Sequence, residues 1–227
     1  MKNINFLKST LIAHRGFFTK SIPENSLMAF SKAIDNNYII EFDIHYLSDG
    51  NIVVYHDFNL KRLTGKNEII ETMNLDSLNK LKIDKKYTIP TFEQVLNLVK
   101  GKVPLLIEIK DLDNNGKFFE KASNILSNYK GLFAIQSMNP KVIDWFYKNK
   151  KDYVIGLIVL NDINYRIFKK STKMIDFLSI NKKDLPFKSK KMILGWTIKN
   201  KKEFDKYKNL CDNLICNIGE VYDKRKE

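Results

Sequence analysis

The stretch that decides the fold is "LIAHRGFFTKSIPENSLMAFSKAIDNNYIIEFDI", residues 11–44. It opens with a short apolar run at residues 11–13, passes through the amphipathic segment "SLMAFSKAI" and closes with a second apolar run at residues 39–44. Asn25 directly precedes the amphipathic segment and is its expected N-cap. A strand, a helix and a second strand in this order predict a parallel βα unit.

The same alternation continues through the rest of the chain. Thr91 precedes the helical segment "FEQVLNLV", and Asn139-Pro140 precede "KVIDWFYK", which are good helix starts. Alternating strands and helices predict an α/β fold, a single TIM (β/α)8 barrel. Nine candidate strands are one more than this barrel needs, so one of them is a hairpin arm or is misassigned. They are residues 11–13, 39–44, 52–55, 105–109, 133–135, 154–159, 177–180, 193–198 and 214–216.

The longest interval without a clear strand is residues 59–102, which contains candidate helices near residues 75–81 and 92–99. We interpret this interval as an enlarged loop after the third strand rather than as a separate domain. No long linker, internal repeat or low-complexity block interrupts the chain. Because its length suits one large core, residues 1–227 are expected to form a single domain.

Composition narrows the classes of partner and compartment. The formal net charge is +13, but the lysines are spread along the chain, which argues against a nucleic-acid partner. A positive surface still helps to steer an anionic substrate. Cys211 and Cys216 match neither a zinc pattern nor a disulfide framework, as is typical of a reducing compartment.

The sequence also predicts that the protein stays in the cytoplasm. No apolar run reaches the roughly 18 residues of a membrane span. Only thirteen residues precede His14, fewer than the roughly 15 to 30 of a cleavable signal. Stable membrane insertion is therefore not expected.

Three carboxylates are candidate metal ligands. Glu41 and Asp43 lie two residues apart in a predicted strand, hence on one face and about 6.6 Å apart along it. Glu108 lies near the end of the apolar strand in "PLLIEIKD", with Lys110 on the same face. Buried like charges need compensation, and hard oxygen ligands favour Mg²⁺, Ca²⁺ or Mn²⁺ over zinc. One divalent cation is therefore the expected cofactor.

The three histidines follow the first three predicted strands: His14, His45 and His56. Imidazole titrates near neutrality, so two rings can act as acid and base on a reacting phosphorus, while Arg15 and Lys110 offer positive charge to its oxygens. Taken singly, His14 could be a satisfied core histidine. The shared placement at strand ends favours a functional site. His45 lies beyond the carboxylates near the rim, and both a functional role and a surface role stay open for it.

An ordered set of short motifs runs along the chain: His14-Arg15-Gly16, Pro23-Glu24-Asn25-Ser26 with Ala29-Phe30, Glu41-Phe42-Asp43, Asp49-Gly50 and His56-Asp57. It continues through "IPTFEQVL" at residues 89–96, "EIK" at residues 108–110 and "GWTIKN" at residues 195–200, so it covers nearly the whole chain. Together these motifs resemble the glycerophosphodiester phosphodiesterase family, in its bacterial cytoplasmic type.

The resemblance implies a metal-dependent hydrolysis of glycerophosphodiesters to glycerol 3-phosphate and an alcohol. It implies that His14 and His56 are the acid–base pair, and that Trp196 lines the pocket. It also implies that Glu41, Asp43 and Glu108 hold the ion and that Arg15 and Lys110 contact the phosphate. The nucleophile, either water or a substrate hydroxyl, stays open, and so does the choice of the basic histidine. Glu24 and Asn25 belong to the motif, although a helix start alone explains them.

Three departures from the family pattern qualify this interpretation. Ser26 replaces a usual Thr, "QSM" at residues 136–138 replaces Ser-Phe, and "LICNIGE" at residues 214–220 lacks a Thr-Asp-x-Pro ending. The second and third bear on the substrate side, and so on headgroup specificity rather than on the chemistry. Two alternatives stay open: a lysophospholipase D-like activity, which needs an apolar channel, and a catalytically silent barrel that binds phosphate or headgroups.

Overall fold

Nine strands form the sheet in the computed structural model, which describes residues 2–84, 86–111, 115–160 and 173–222. They are β1 (Ile12–Ala13), β2 (Ile39–Tyr46), β3 (Ile52–Val54), β4 (Leu105–Ile109), β5 (Phe133–Ser137), β6 (Val154–Val159), β7 (Phe177–Asn181), β8 (Met192–Ile198) and β9 (Asn213–Cys216). Eight strands are parallel and close into a barrel, because β1 pairs with both β2 and β9. The predicted TIM barrel is confirmed. The surplus strand is β3, a hairpin arm antiparallel to β2.

Helices connect the parallel strands on the outside of the barrel. In the described part of the chain they are α1 (Leu27–Asp35), α2 (Lys61–Thr64), α3 (Leu75–Asn79), α4 (Phe92–Val99), α5 (Gly116–Ser127), α6 (Pro140–Asn149), α7 (Lys201–Tyr207) and α8 (Ile218–Val221). Thr91 caps α4 in a capping box with Gln94, and Asn139 caps α6 ahead of Pro140. Both predicted helix starts are therefore confirmed.

The expected N-cap of α1 is wrong by one residue. The cap is Ser26, whose side chain accepts a hydrogen bond from the Ala29 N–H. Asn25 has a φ of 53°, in the left-handed region, and its Nδ2 donates to Asp43 Oδ2 over 3.0 Å. An N-cap needs extended backbone and a side chain free to accept from the helix. Asn25 offers neither, because its amide faces the barrel interior.

The side chains that face the barrel interior change from apolar to polar along each strand. Ile39 in β2 is followed at two-residue steps by Glu41 and Asp43, and Leu106 in β4 is followed by Glu108. Successive residues of a strand point to opposite faces, so every second residue shares the interior. The apolar layer fills the barrel near the strand starts, and the polar layer lies at the carboxyl ends, where barrel active sites lie.

Residues 55–104 form the enlarged connection that follows β3. It contains α2, α3, α4 and a 3₁₀ turn at Ile70–Thr72. A separate apolar cluster holds it together, with the buried Tyr55 and Leu60 at its base. None of the helices in the described part of the chain combines the length and the apolar character that crossing a bilayer requires. That residues 1–227 form one domain stays a prediction.

Candidate active site

A cavity at the carboxyl ends of the barrel strands brings the expected site residues together. Asp43 lies buried beside this cavity, where it holds Asn25 and Lys110. Six further residues line it: Gln136 and Met138 from the "QSM" departure, and Ile158, Ser179, Thr197 and Ile215, which we did not single out from the sequence. The expected residues that line it are His14, Arg15, Glu41, His56, Glu108, Lys110 and Trp196.

Three buried carboxylates form an acidic cluster below this cavity. Glu41, Asp43 and Glu108 are 2 %, 1 % and 7 % exposed, and one oxygen from each lies within 4.8 Å of the others. The closeness follows from strand register, because Asp43 in β2 pairs directly with Glu108 in β4. Burial, followed by the charges of its two neighbours, raises the pKa of Glu41 well above its usual value. Burial likewise raises the pKa of Glu108 to about 7.

Lys110 compensates two of these carboxylates. Its Nζ lies 2.5 Å from Glu108 Oε1 and 3.1 Å from Asp43 Oδ1. Burial alone would raise the pKa of Asp43, but the Lys110 charge brings it below its usual value. The remaining carboxylate, Glu41, accepts the Arg15 backbone N–H over 3.0 Å. Arg15 Nε also lies 3.8 Å from Asp43 Oδ2, so two cationic side chains face three carboxylates, whose oxygen donors fit a divalent cation.

The His14 ring is fixed by the segment that closes the barrel. Its Nδ1 lies 2.8 Å from Asn217 Oδ1, and Asn217 Nδ2 donates to Glu220 Oε2 over 2.9 Å. A carboxylate only accepts hydrogen bonds, so the Asn217 amide nitrogen faces Glu220 and the Asn217 amide oxygen faces the His14 ring. His14 Nδ1 must therefore carry the proton that this oxygen accepts. Burial, and after it the Arg15 charge, lowers the pKa of His14 to about 3. The neutral ring keeps a lone pair on Nε2.

The His56 ring has an anionic partner instead. Its Nδ1 lies 2.5 Å from Asp57 Oδ1, and Asp57 Oδ2 accepts the Arg62 Nε–H over 2.6 Å. Burial lowers the pKa of His56, while the Asp43 and Asp57 carboxylates oppose that effect. The two rings therefore differ in the charge of the group that holds Nδ1.

The Pro-Glu-Asn segment reaches into the site, so a helix start does not account for it. Glu24 Oε1 accepts Arg15 Nη1 over 2.6 Å, while Asn25 holds Asp43. Arg15 itself has a φ of 55° and is followed by Gly16 at 80°. A Cβ on Gly16 would lie 2.9 Å from Phe30 Cδ1, so this turn requires glycine twice over, for its conformation and for its space.

His45 lies inside β2, fully buried, so the expected place near the rim is wrong. Its Nδ1 lies 3.1 Å from Glu71 Oε1 and its Nε2 lies 3.3 Å from the His56 carbonyl oxygen. The ring also packs edge-on against Phe58. The β2–β3 hairpin and the connection after it cover the ring, because they fold over the end of β2. His45 therefore supports the backbone of His56 from below and does not line the cavity.

The two departures on the substrate side have different positions. Gln136 and Met138 line the cavity, where Gln136 Oε1 accepts the Ser179 hydroxyl over 2.6 Å. Asn217, in contrast, contacts the His14 ring directly. The closing segment therefore bears on the His14 ring, which we did not expect from the sequence.

Two further cavities flank the central one. The cavity on the His56 side is lined by Phe58, Asp111, Met138 and Lys141, among others. The cavity on the opposite side adjoins His14 and includes Lys183 in its lining. Trp196 lines both the central cavity and the cavity beside His14. Its buried Nε1 has no hydrogen-bond partner among the described residues.

Comparison with known proteins agrees on one family. The profile of the "Glycerophosphoryl diester phosphodiesterase family" matches residues 14–166. A glycerophosphodiester phosphodiesterase of Caldanaerobacter subterraneus is 35 % identical over 113 residues, which are 46 % of each chain. The lysophospholipase D GDPD1 of Mus musculus is 30 % identical over 160 residues, 63 % of this chain and 50 % of that protein. The chain thus spans about half the length of these curated relatives.

Solved structures share the fold. A phosphodiesterase of Oleispira antarctica, in complex with the product sn-glycerol-3-phosphate, has a TM-score of 0.79 at 19 % identity, over 92 % of both chains. A glycerophosphodiester phosphodiesterase of Parabacteroides distasonis has a TM-score of 0.80 at 22 % identity, over 96 % of this chain and 95 % of that chain. At these identities the likeness is one of fold alone.

Proposed function

This chain belongs to the glycerophosphoryl diester phosphodiesterase family, and on that premise we propose that it hydrolyses glycerophosphodiesters to glycerol 3-phosphate and an alcohol. The observation that carries the proposal is the single cavity that collects His14 and His56 above a buried acidic cluster. An acid–base pair beside a cation site can catalyse the displacement of an alcohol from a phosphodiester.

We assign different roles to the two histidines. His14, neutral and with its proton held on Nδ1, has the free lone pair on Nε2 that a general base requires. The Asp57 carboxylate beside His56 Nδ1 stabilises a protonated ring, as a general acid requires. His14 would then take the proton of the nucleophile, and His56 would protonate the leaving alcohol oxygen.

Cationic and aromatic side chains would orient the substrate. The Arg15 guanidinium is fixed by Glu24, and its buried Nε has no hydrogen-bond partner among the described residues. Lys110 lies at the floor of the same cavity. Both are placed to contact phosphate oxygens. Trp196 offers an apolar wall to the glycerol or headgroup moiety.

We propose Glu41, Asp43 and Glu108 as the ligands of one divalent cation, Mg²⁺, Ca²⁺ or Mn²⁺. Such a cation, when bound, offsets negative charge on the phosphate oxygens in the transition state. The raised pKa values of Glu41 and Glu108 support a role for it, because two carboxyl groups ionise with difficulty in their buried positions. A cation would remove that difficulty.

Cation affinity should therefore depend steeply on pH. Below the Glu108 pKa of about 7, binding must displace a proton, so affinity at pH 5.5 should be at least about tenfold weaker than at pH 8. The same raised pKa also makes the folding stability of the cation-free protein depend on pH. A raised carboxyl pKa favours the cation-free fold below about pH 4.5, and this contribution is lost as pH rises through about 7. The rise in Tm on adding Mg²⁺, Ca²⁺ or Mn²⁺ should be larger at pH 8.

Titration calorimetry and thermal melts on the same preparations measure both quantities. Glu68→Gln, at an exposed position, is the matched control and should keep the wild-type pH dependence. Equal affinity at the two pH values would argue against this carboxylate cluster as the binding site.

The described lining favours a small polar headgroup over an acyl chain. Beside His56, the apolar Phe58 and Met138 alternate with charged side chains such as Asp111 and Lys141. Apolar atoms form most of this surface, but the charged ends of Asp111 and Lys141 interrupt it, unlike the continuous apolar channel that a lysophospholipid needs. One panel of substrates distinguishes the proposed activity from both alternatives, the lysophospholipase D-like activity and the catalytically silent binding barrel.

A substrate panel tests the proposal. Purified protein with added divalent cation should release glycerol 3-phosphate from glycerophosphocholine, glycerophosphoethanolamine or glycerophosphoglycerol, measured by a coupled dehydrogenase assay. Turnover of lysophosphatidylcholine should be lower. Faster turnover of lysophosphatidylcholine than of every small diester would favour the alternative activity, and binding without any turnover would favour the silent barrel.

A further inference from the structure

We propose that Arg62 is a positioning residue, an inference that rests on the proposed function. Through the carboxylates of Asp57 and Glu24, it fixes the orientation of the His56 ring and of the Arg15 side chain. Arg62 lies in α2, in the connection after β3, and does not line the central cavity. Its contribution would be indirect: it fixes the groups that hold the acid–base ring and the phosphate-binding guanidinium.

The contacts of Arg62 divide between the two sides of the site. Its Nε donates to Asp57 Oδ2 over 2.6 Å, and Asp57 Oδ1 faces His56 Nδ1. Its Nη2 donates to Glu24 Oε1 over 2.6 Å and its Nη1 to Glu24 Oε2 over 3.1 Å. Glu24 Oε1 also accepts from Arg15. One planar guanidinium therefore spans two carboxylates, each of which holds a proposed substrate-contacting residue.

The local sequence explains how an exposed helix reaches the site. Leu60, directly before α2, is fully buried in the apolar cluster of the connection. Asn59 Oδ1 accepts the Lys61 N–H over 2.8 Å and turns the chain into the helix. This anchor directs Arg62 back over Asp57, five residues earlier, and Glu24, thirty-eight residues earlier.

Charge explains why the link matters. Glu24 and Asp57 would repel each other without a cation between them, and Arg62 helps to lower the pKa of both. Without Arg62, the described residues leave Asp57 only the His56 ring as an ion-pair partner and leave Glu24 only Arg15. The two carboxylates would then be less firmly fixed, and so would the His56 ring and the Arg15 side chain that they hold. A surface ion pair with no such role contributes little to stability and nothing to turnover.

Arg62→Ala should lower kcat about 10 to 100-fold, the typical cost of removing an outer partner of a site. Millimolar guanidinium should restore part of the loss, because the Arg62 side chain is 45 % exposed and its place is open to solvent. Arg62→Lys should recover less than guanidinium does, since one ammonium cannot span both carboxylates. Lys61→Ala, the neighbouring exposed residue on the same helix, should stay within about twofold of wild type.

A second readout does not need turnover. In ¹⁵N-labelled protein, the low-field N–H signal of the His56 ring, assigned by its loss in His56→Gln, should broaden or shift in Arg62→Ala and return in part with guanidinium. Unchanged kcat together with an unchanged signal would overturn the proposal, and so would a kcat loss that guanidinium does not relieve. If Arg62→Ala does not fold, Arg62→Ser serves in both measurements, because it also leaves the place of the guanidinium group open. If the wild-type protein hydrolyses none of the diesters, the proposed function is overturned instead. The His56 ring signal would still test the positioning role of Arg62.

Discussion

Removal of divalent cations should abolish hydrolysis of every glycerophosphodiester that the protein turns over. Glu41, Asp43 and Glu108 are buried oxygen donors within 4.8 Å of one another, and the single positive charge of Lys110 is shared between Asp43 and Glu108. Without the cation, Arg15 and Lys110 would be the lysine and arginine side chains left to offer positive charge among the described residues that line the cavity. Excess EDTA followed by dialysis should reduce turnover to background, and adding back Mg²⁺, Ca²⁺ or Mn²⁺ should restore it.

The ligand substitutions should separate chemistry from folding. Glu41→Gln should lose activity and keep its Tm, because it removes a carboxyl group that ionises with difficulty and still accepts the Arg15 N–H. Asp43→Ala should also be inactive but less stable, since it leaves Asn25 and the buried Lys110 without a partner. Undiminished turnover in EDTA-treated, dialysed protein would refute the cation site.

Replacing either proposed acid–base histidine should lower kcat by about 10² to 10⁴-fold with little change in Tm. His14→Ala removes the Nε2 lone pair, and His56→Ala removes the donor to the leaving oxygen. The double variant should fall well short of the product of the two losses, because the rings act on one reaction. Wild-type kcat/KM should show a bell-shaped pH profile whose limbs belong to the coupled site.

Asn217→Ala provides a graded comparison for His14. It leaves the ring in place but removes the acceptor that fixes its proton on Nδ1, so its loss in kcat should be smaller than that of His14→Ala. Near-normal turnover by His14→Ala on every wild-type substrate would contradict the acid–base assignment. A His14→Ala variant that is inactive only because it is unfolded would be recognised by its Tm.

The sequence alone determined the barrel fold and which kinds of side chain, apolar or charged, face its interior. Strand periodicity is local, so the two-residue step from Ile39 to Glu41 and Asp43 already places these side chains on one face. The order of the apolar runs predicts the βα alternation. These features need no knowledge of distant contacts, and the nine strands that they predict are all present. Thr91 and Asn139 follow the same rule, because a capping residue acts on the helix that begins beside it.

Only the tertiary structure decided which groups hold the site residues. Asn217 meets His14 across 203 positions because barrel closure brings β9 beside β1. Arg62 meets Glu24 because the connection folds back over the barrel rim, and the same fold buries His45. Such contacts depend on strand register, loop path and rotamer. Local periodicity and motif spacing specify which side chains enter the interior, whereas the partners they meet there are set by how the whole chain closes.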